Sequence, residues 1–176
     1  ELGLTETRAT ALGALRIVDA ANEWIYSRLD RDNTIWIQTS DNGGDPNQGA
    51  SNYPLRGGKV SGWQGGFQVP CFVWLGANLR GSLKEYDGLV YVTDWVPTII
   101  GGALGAPEVL PDHLYGQDLW ESLRGNSGKA REDILLMASY GTGDEAGEAM
   151  VSLRTDRYKV TIGQAPCAVG TPAGAY

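Results

Sequence analysis

The sequence is poor in several residue types, and each shortage excludes something. Two cysteines, Cys71 and Cys167, and one histidine, His113, occur in 176 residues. Two cysteines so far apart make neither a disulfide scaffold nor a zinc site, which wants four closely spaced ligands. His113 lies in Pro111-Asp112-His113-Leu114 and reads as an exposed loop residue. Cations are scarce as well: 14 Lys and Arg against 21 Asp and Glu give a net charge of −7 and a pI near 4.6. Without clustered Lys and Arg, the chain is unsuited to nucleic acid or an anionic membrane surface. No apolar run approaches the roughly 18 residues of a membrane span. There is no Asn-x-Ser/Thr sequon, and the chain opens at Glu1 with neither Met nor a charged-then-apolar leader. We therefore expect a piece of a longer protein.

Glycine, at 25 residues, and tryptophan, at 6 against 2 phenylalanines, stand out instead. With 42% hydrophobic and 20% charged residues the mixture is that of an ordinary globular chain. From Thr5 to Leu29 the residues Leu12, Leu15, Val18, Ile25 and Leu29 recur at helical spacing, with charged residues between them, which predicts an amphipathic helix. The β-branched and aromatic run Thr34–Thr39 predicts a strand. Phe67–Leu75, Leu89–Val92 and Ile134–Met137 read as further strands. Thr93 or Asp94 is positioned to cap a helix with Pro97 in its first turn and an end near Gly101-Gly102. Met150–Arg154 and Tyr158–Ile162 flank a turn and predict a hairpin, and the Ala, Gly and Pro tail from Gln164 has no period. The grammar is that of an α/β fold.

Between Asp41 and Pro70 eight of thirty positions are glycine, so this stretch reads as a long ordered loop, and such loops are usually functional. Ser40-Asp41-Asn42-Gly43-Gly44 follows directly on a predicted strand, at the sheet edge where α/β proteins bind ligands. Asp41 and Asn42 offer hard oxygen donors for Ca²⁺ or Mg²⁺. The same sequence also makes a good Asx turn, and spacing alone favours that turn.

Four segments then carry a resemblance: SDNGG (40–44), NYPLRGGK (52–59), SGWQGGFQVP (61–70) and VTDWVPTI (92–99), with GQDLW (116–120) and SLRTDRYKVTIG (152–163) after them. In this order and spacing they resemble the second half of the type I sulfatase catalytic domain, closest to its arylsulfatase B-like branch. The resemblance implies an alkaline phosphatase-like α/β fold, present in part. Residues 1–145 would belong to a central mixed sheet with flanking helices, and 146–176 would start a small C-terminal antiparallel sheet. It implies that Asp41 and Asn42 bind a calcium ion and that Lys59 contacts the substrate's sulfate. Lys is a mobile point charge suited to a sulfate oxygen or a developing negative charge. Gly57 and Gly58 would allow close backbone approach, Arg56 would form an ion pair or a second anion contact, and Trp63 would wall the mouth of the site. Trp36, Trp74 and Trp95 would pack in the core or beneath the loops.

The chain departs from that pattern in what it lacks. The family's formylglycine nucleophile arises in a C/S-x-P-x-R segment, and neither Cys71 nor Cys167 has that context. The first Asp-Asp metal pair and the active-site Lys and His residues of the preceding half are missing too. Asp41 and Asn42 are too few for a calcium ion, which takes six to eight oxygens. The chain alone is therefore expected not to hydrolyse a sulfate ester. Gln64 and Gln68 stand where the family often carries Glu and Arg, and we expect an amide hydrogen bond in place of an ion pair. The family's sheet is shared with its other half, so an N-terminal sulfatase half or another subunit is the expected partner over a bared strand edge. Three functions stay open: the C-terminal portion of an arylsulfatase-like hydrolase, a sulfatase-derived structural subunit without turnover, or a phosphonate or phosphodiester hydrolase of the same superfamily. The PLRGGK segment favours sulfate. A secretory, lysosomal or extracellular location is suggested by the family alone.

Overall fold

The computed structural model of the chain describes residues 5–59, 61–138 and 150–162; Cys167 and the tail from Gln164 lie outside them. The chain divides into two compact units, one built around residues up to Leu79, the other around Arg80–Met137 with Val151–Ile162.

In the first unit the expected helix forms as α1 (Glu6–Tyr26). Thr5 caps it, its hydroxyl accepting from the Arg8 N–H at 3.3 Å. At the other end the Ser27 N–H donates to the Glu23 carbonyl at 3.0 Å. Side chains tether α1 at both ends. Arg8 donates to the Gly49 carbonyl at 2.6 Å, and Tyr26 meets Trp74 edge-on at 5.8 Å between centroids. Leu12, Ile25 and Leu29 are half-buried, whereas Leu15 and Val18 stay exposed, so only part of the apolar stripe is used within this unit.

Strand β1 (Ile35–Thr39) pairs antiparallel with β2 (Cys71–Leu75), Trp36 opposite Trp74 and Thr39 opposite Cys71. Trp36 also meets Phe72 edge-on at 5.3 Å, a diagonal aromatic contact of the kind that fixes register. The second strand is shorter than predicted. Phe67 closes a helical turn, α2 (Gln64–Phe67), and Pro70, which has no N–H to give to a ladder, stands just ahead of β2. The turn that ends β2 folds back on the turn before β1, with the Gly76 N–H on the Thr34 carbonyl at 2.9 Å and the Asn78 N–H on the Asp32 carbonyl at 3.0 Å.

In the second unit Leu89–Val92 is not the predicted strand. The Asp94 carboxylate takes the Tyr91 N–H at 2.7 Å and bends the chain into a 3₁₀ turn over Val92–Asp94. A short helix α3 (Trp95–Pro97) follows and widens into a π-helical turn over Thr98–Ala103. Asp94 is thus no cap for α3, and its carboxylate serves a buried network. One oxygen accepts from the Gln117 N–H at 2.9 Å, and the Arg131 guanidinium grips both, from Nε to Oδ2 at 2.8 Å and from Nη2 to Oδ1. Arg131 gives two further donors to the Tyr115 and Asp133 carbonyls, each at 3.0 Å. Side-chain exposure is 1% for Arg131 and 0% for Asp94, so both charges are out of water. Burial works against the guanidinium, but Asp94's hydrogen bonds and charge outweigh it and raise the pKa of Arg131. Nearby, the Thr98 hydroxyl accepts from the Leu119 N–H at 2.9 Å. The VTDWVPTI and GQDLW segments are therefore sewn together by Asp94 and Thr98. Leu119 and Trp120, at the start of α4 (Trp120–Arg124), are buried, as are Ile134 and Leu136 of β3 (Asp133–Ala138).

The predicted hairpin is present as β4 (Met150–Thr155) and β5 (Lys159–Ile162), antiparallel with Val151 opposite Ile162. With β3 they form a three-stranded sheet in the order β3-β4-β5. Helices with two small sheets make this an α/β chain, as the sequence predicts.

The buried pair yields a stability test. Removing one partner strands a charge, so Asp94→Asn should destabilise the fold by about 3–5 kcal/mol, whereas the double replacement D94L/R131M should cost far less. Urea-unfolding midpoints of the three proteins check this, and equal losses in single and double variants would show that the charges are not coupled.

Candidate functional site

The loop between β1 and β2 gathers the residues singled out by the sequence. Asp41 and Asn42 leave the C-terminal end of β1 in a turn closed on itself. The Asn42 N–H donates to Asp41 Oδ1 at 2.8 Å, the Ser40 hydroxyl to the Asn42 carbonyl at 3.0 Å, and the Asn42 amide to the Gly43 carbonyl at 2.9 Å. The turn is local, but it is not the Asx turn expected from the sequence: Asp41 Oδ1 accepts from the next N–H, that of Asn42, while the Gly43 N–H two residues on goes to the Gly66 carbonyl. It leaves Asp41 exposed, with its second carboxylate oxygen outside these bonds.

From there the backbone dives inward. Gly43 is buried, and its N–H donates to the Gly66 carbonyl at 3.0 Å. A side chain here would meet the Gly65 carbonyl head-on, and one at Gly65 would meet the Gly57 carbonyl. Three strands of loop, around Gly43, Gly57 and Gly65, pack backbone against backbone. That accounts for much of the glycine excess between Asp41 and Pro70. Gly57 also has φ of 80°, the left-handed region, where a Cβ would be strained whatever the space.

Asn52 holds this arrangement from the side. Its amide oxygen accepts from the Gly44 N–H at 2.7 Å, while its NH₂ donates to the Gly44 carbonyl at 2.8 Å and the Gly57 carbonyl at 3.1 Å. The Lys59 N–H takes the Gly44 carbonyl as well, at 3.1 Å. Beyond Lys59 the buried Ser61 closes a tight turn. Its hydroxyl accepts from the Gly58 N–H at 3.1 Å and its N–H donates to the Gly58 carbonyl at 3.0 Å. The fold thereby docks the Lys59 backbone on Gly44, two residues past Asn42, and leaves the Lys59 side chain exposed. Lys59, Asp41 and Asn42 belong to one hydrogen-bonded loop cluster, although the sequence separates them by 17 positions or more.

Other predicted residues fall as follows. Arg56 stacks on the Trp63 ring, 3.8 Å from its centroid, so Trp63 carries a guanidinium rather than presenting a bare face. Gln64 donates to Gln68 at 2.6 Å across one helical turn, the amide bond predicted in place of an ion pair. His113 is exposed, away from this loop in the chain and in the other unit. Cys71, opposite Thr39, is exposed too, and partial desolvation of its sulfur raises the thiol pKa against a smaller lowering by the Thr39 hydroxyl. Sequence reasoning did not single out Asn52 or Ser61. The signal available was slight: an Asn carries one acceptor and two donors and suits a bridge between backbone groups, but nothing in the sequence names the groups bridged.

The donor set can be tested against a divalent ion. Among the described residues no group of three or more His, Cys, Asp or Glu side chains is placed to hold a metal. Asp41 and Asn42 are hard oxygen donors on an exposed turn, and they fit a calcium ion as part of a set whose other oxygens must come from elsewhere.

Comparison with known proteins gives the family and the fold. The sulfatase family pattern matches residues 4–106, and the chain belongs to the sulfatase family. Arylsulfatase J of Mus musculus is 43% identical over 106 residues, which cover 58% of this chain and 17% of that protein. Steryl-sulfatase of Mus musculus is 29% identical over 134 residues, covering 70% and 20%. The match thus spans about a fifth of the length of these curated relatives. Among solved structures, Ps i-CgsB in complex with k-i-k-neocarrahexaose superposes with a TM-score of 0.73 at 26% identity, over 92% of this chain and 36% of that one. A second structure of Ps i-CgsB gives a TM-score of 0.62 at 28% identity, over 74% and 28%. The architecture is a partial sulfatase fold.

The close backbone packing predicts that Gly43→Ala is poorly tolerated, with a loss of about 1–3 kcal/mol from overpacking. The same change at Gly13, on the open face of α1 with no atom near its missing Cβ, should instead stabilise slightly. Thermal melts of the two variants side by side test the contrast.

Proposed function

We propose that this chain supplies part of the active site of an arylsulfatase-like hydrolase of sulfate esters, the rest coming from a half that bears the formylglycine. Family membership supports this reading, and one observation carries it to particular residues: the hydrogen bond from the Lys59 N–H to the Gly44 carbonyl, which joins the lysine loop to the Asp41-Asn42 turn. The exposed Lys59 ammonium neutralises a sulfate oxygen, or the charge that gathers on the departing oxygen as the S–O bond breaks. Asp41 and Asn42 hold a calcium ion together with oxygens from the other half. When bound, that ion supplies a Lewis acid for the sulfate oxygens. Exposed apolar side chains of the first unit, among them Leu15, Val18 and Phe72, are the surface on which the other half seats.

The neutral Gln64–Gln68 pair favours a second reading, a sulfatase-derived subunit without turnover. Hydrolysis decides between them. The chain alone should show no aryl sulfate hydrolysis, and assembly with the formylglycine-bearing half should restore it. In that assembly Lys59→Ala should lower kcat/KM by about 10²–10³-fold, the range seen when a charge-stabilising donor is removed. A K59A enzyme as active as the parent would overturn the role of Lys59, and an assembly without turnover on any sulfate ester would leave the subunit reading standing.

Calcium dependence gives a separate check. Asp41→Asn should raise the free Ca²⁺ needed for half-maximal activity by about tenfold or more, because one anionic ligand is lost from a site tuned by ligand charge. Titration of Ca²⁺ into chelator-treated enzyme measures it, and identical titration curves for parent and D41N would remove Asp41 from the metal site.

A further inference from the structure

We propose that Asn52 is a positioning residue that sets the place of Lys59 relative to the Asp41-Asn42 turn. The inference rests on the sulfate reading given above and extends it to a residue outside the metal and sulfate contacts. Its basis is a closed set of hydrogen bonds. The Asn52 side chain uses its oxygen and its NH₂ group, on three backbone partners that belong to two different segments: both polar groups of Gly44, and the Gly57 carbonyl. Gly44 follows Asp41 and Asn42 directly after Gly43, and Gly57 precedes Lys59 by two residues.

The Gly44 carbonyl is the pivot. It accepts from Asn52 at 2.8 Å and from the Lys59 N–H at 3.1 Å, which fills both of its lone pairs. Asn52 therefore orients the peptide group on which the Lys59 backbone is docked. Ser61 completes the frame on the far side, through its two hydrogen bonds to Gly58. The Lys59 side chain projects from this frame without a hydrogen bond or ion pair of its own among the described residues, so its position derives from the backbone beneath it. A small shift of that backbone moves an ammonium that must meet a sulfate oxygen, and displacement of about 1 Å in a positioning group can cost roughly 10²-fold in rate.

No other residue type of this size does the same work. Aspartate at 52 keeps the acceptor for the Gly44 N–H but sets a carboxylate oxygen against the Gly44 and Gly57 carbonyls. Alanine removes all three bonds. All three of these Asn52 bonds go to backbone groups, so its assigned role is to position Lys59.

A double-mutant cycle separates positioning from plain structural support. In the assembly with the formylglycine-bearing half, Asn52→Ala should lower kcat on an aryl sulfate by about 10–100-fold in the parent, with a smaller change in KM. In the Lys59→Ala background the same change should have almost no further effect. Amide hydrogen exchange on the chain gives an arm independent of activity: N52A should lose protection at the Gly44 and Lys59 N–H groups while the amides of β1 and β2 keep theirs. If N52A does not fold, Asn52→Asp replaces it: the kinetic cycle is read as for N52A, but because Asp keeps the acceptor for the Gly44 N–H, loss of protection is expected at the Lys59 N–H alone. Additive losses in the cycle, or unchanged protection at Lys59, would overturn the proposal while leaving the sulfate reading intact. Turnover unaffected by Lys59→Ala would instead bring down the sulfate reading, and this inference with it.

Discussion

The candidate site depends on a backbone contact: Gly43 lies against Gly65 and Gly66, with no room for a side chain between them. Because that contact is made by main chain, the loop between β1 and β2 cannot spread into an open excursion. It closes on itself, and the turn that leaves β1 is brought beside the turn that bears Lys59. The antiparallel pairing of β1 with β2 sets the two ends of the loop side by side, Thr39 opposite Cys71. Hydrogen bonding then fixes what sterics allow, since Asn52 pairs with Gly44 and Gly57, Ser61 with Gly58, and the Lys59 N–H with the Gly44 carbonyl, in a region partly shut off from water. An exposed carboxylate, Asp41, and an exposed ammonium, Lys59, end on one hydrogen-bonded loop cluster.

The second unit is organised by a different interaction. Asp94 and Arg131 are buried as a bidentate pair, and their spare donors and acceptors are taken up by the main chain at Tyr91, Tyr115, Gln117 and Asp133. Such a pair adds little net stability over an apolar substitute, because desolvation offsets much of the attraction. What it contributes is a unique geometry. It ties the helical segment after Tyr91, the extended stretch around Gln117 and the start of β3 to one point, and the widened π turn at Thr98–Ala103 lets Gly102 come close against Trp120 and Asp118.

Much of the fold was legible. The period of Leu12, Leu15, Val18, Ile25 and Leu29 predicted α1, though Leu15 and Val18 remain exposed because burial depends on neighbours that a period does not name. The β-branched run gave β1 within one residue, and the turn at Thr155-Asp156-Arg157 gave the hairpin of β4 and β5. Leu89–Val92 misled, since its apolar character fits a strand equally well, and only the carboxylate three residues on from Tyr91 bends it into a turn. Asp94 itself misled for the same reason: a carboxylate ahead of a helix reads as a cap, and its true partner, Arg131, lies 37 residues away.

For the site, composition and order of residues determined the chemistry available: hard oxygens at Asp41 and Asn42, a mobile cation at Lys59, and a glycine-rich loop joining them. They also determined the family, since several short segments in one order are more specific than any one of them. The tertiary structure alone decided that these residues share a cluster, that Asn52 is the bridge, and that Trp63 is covered by Arg56. Local sequence sets which groups a residue carries and how its backbone prefers to turn. Which distant group each one meets is settled only when the chain closes, because an unmet polar group away from water is costly and the loop has few ways to satisfy them all.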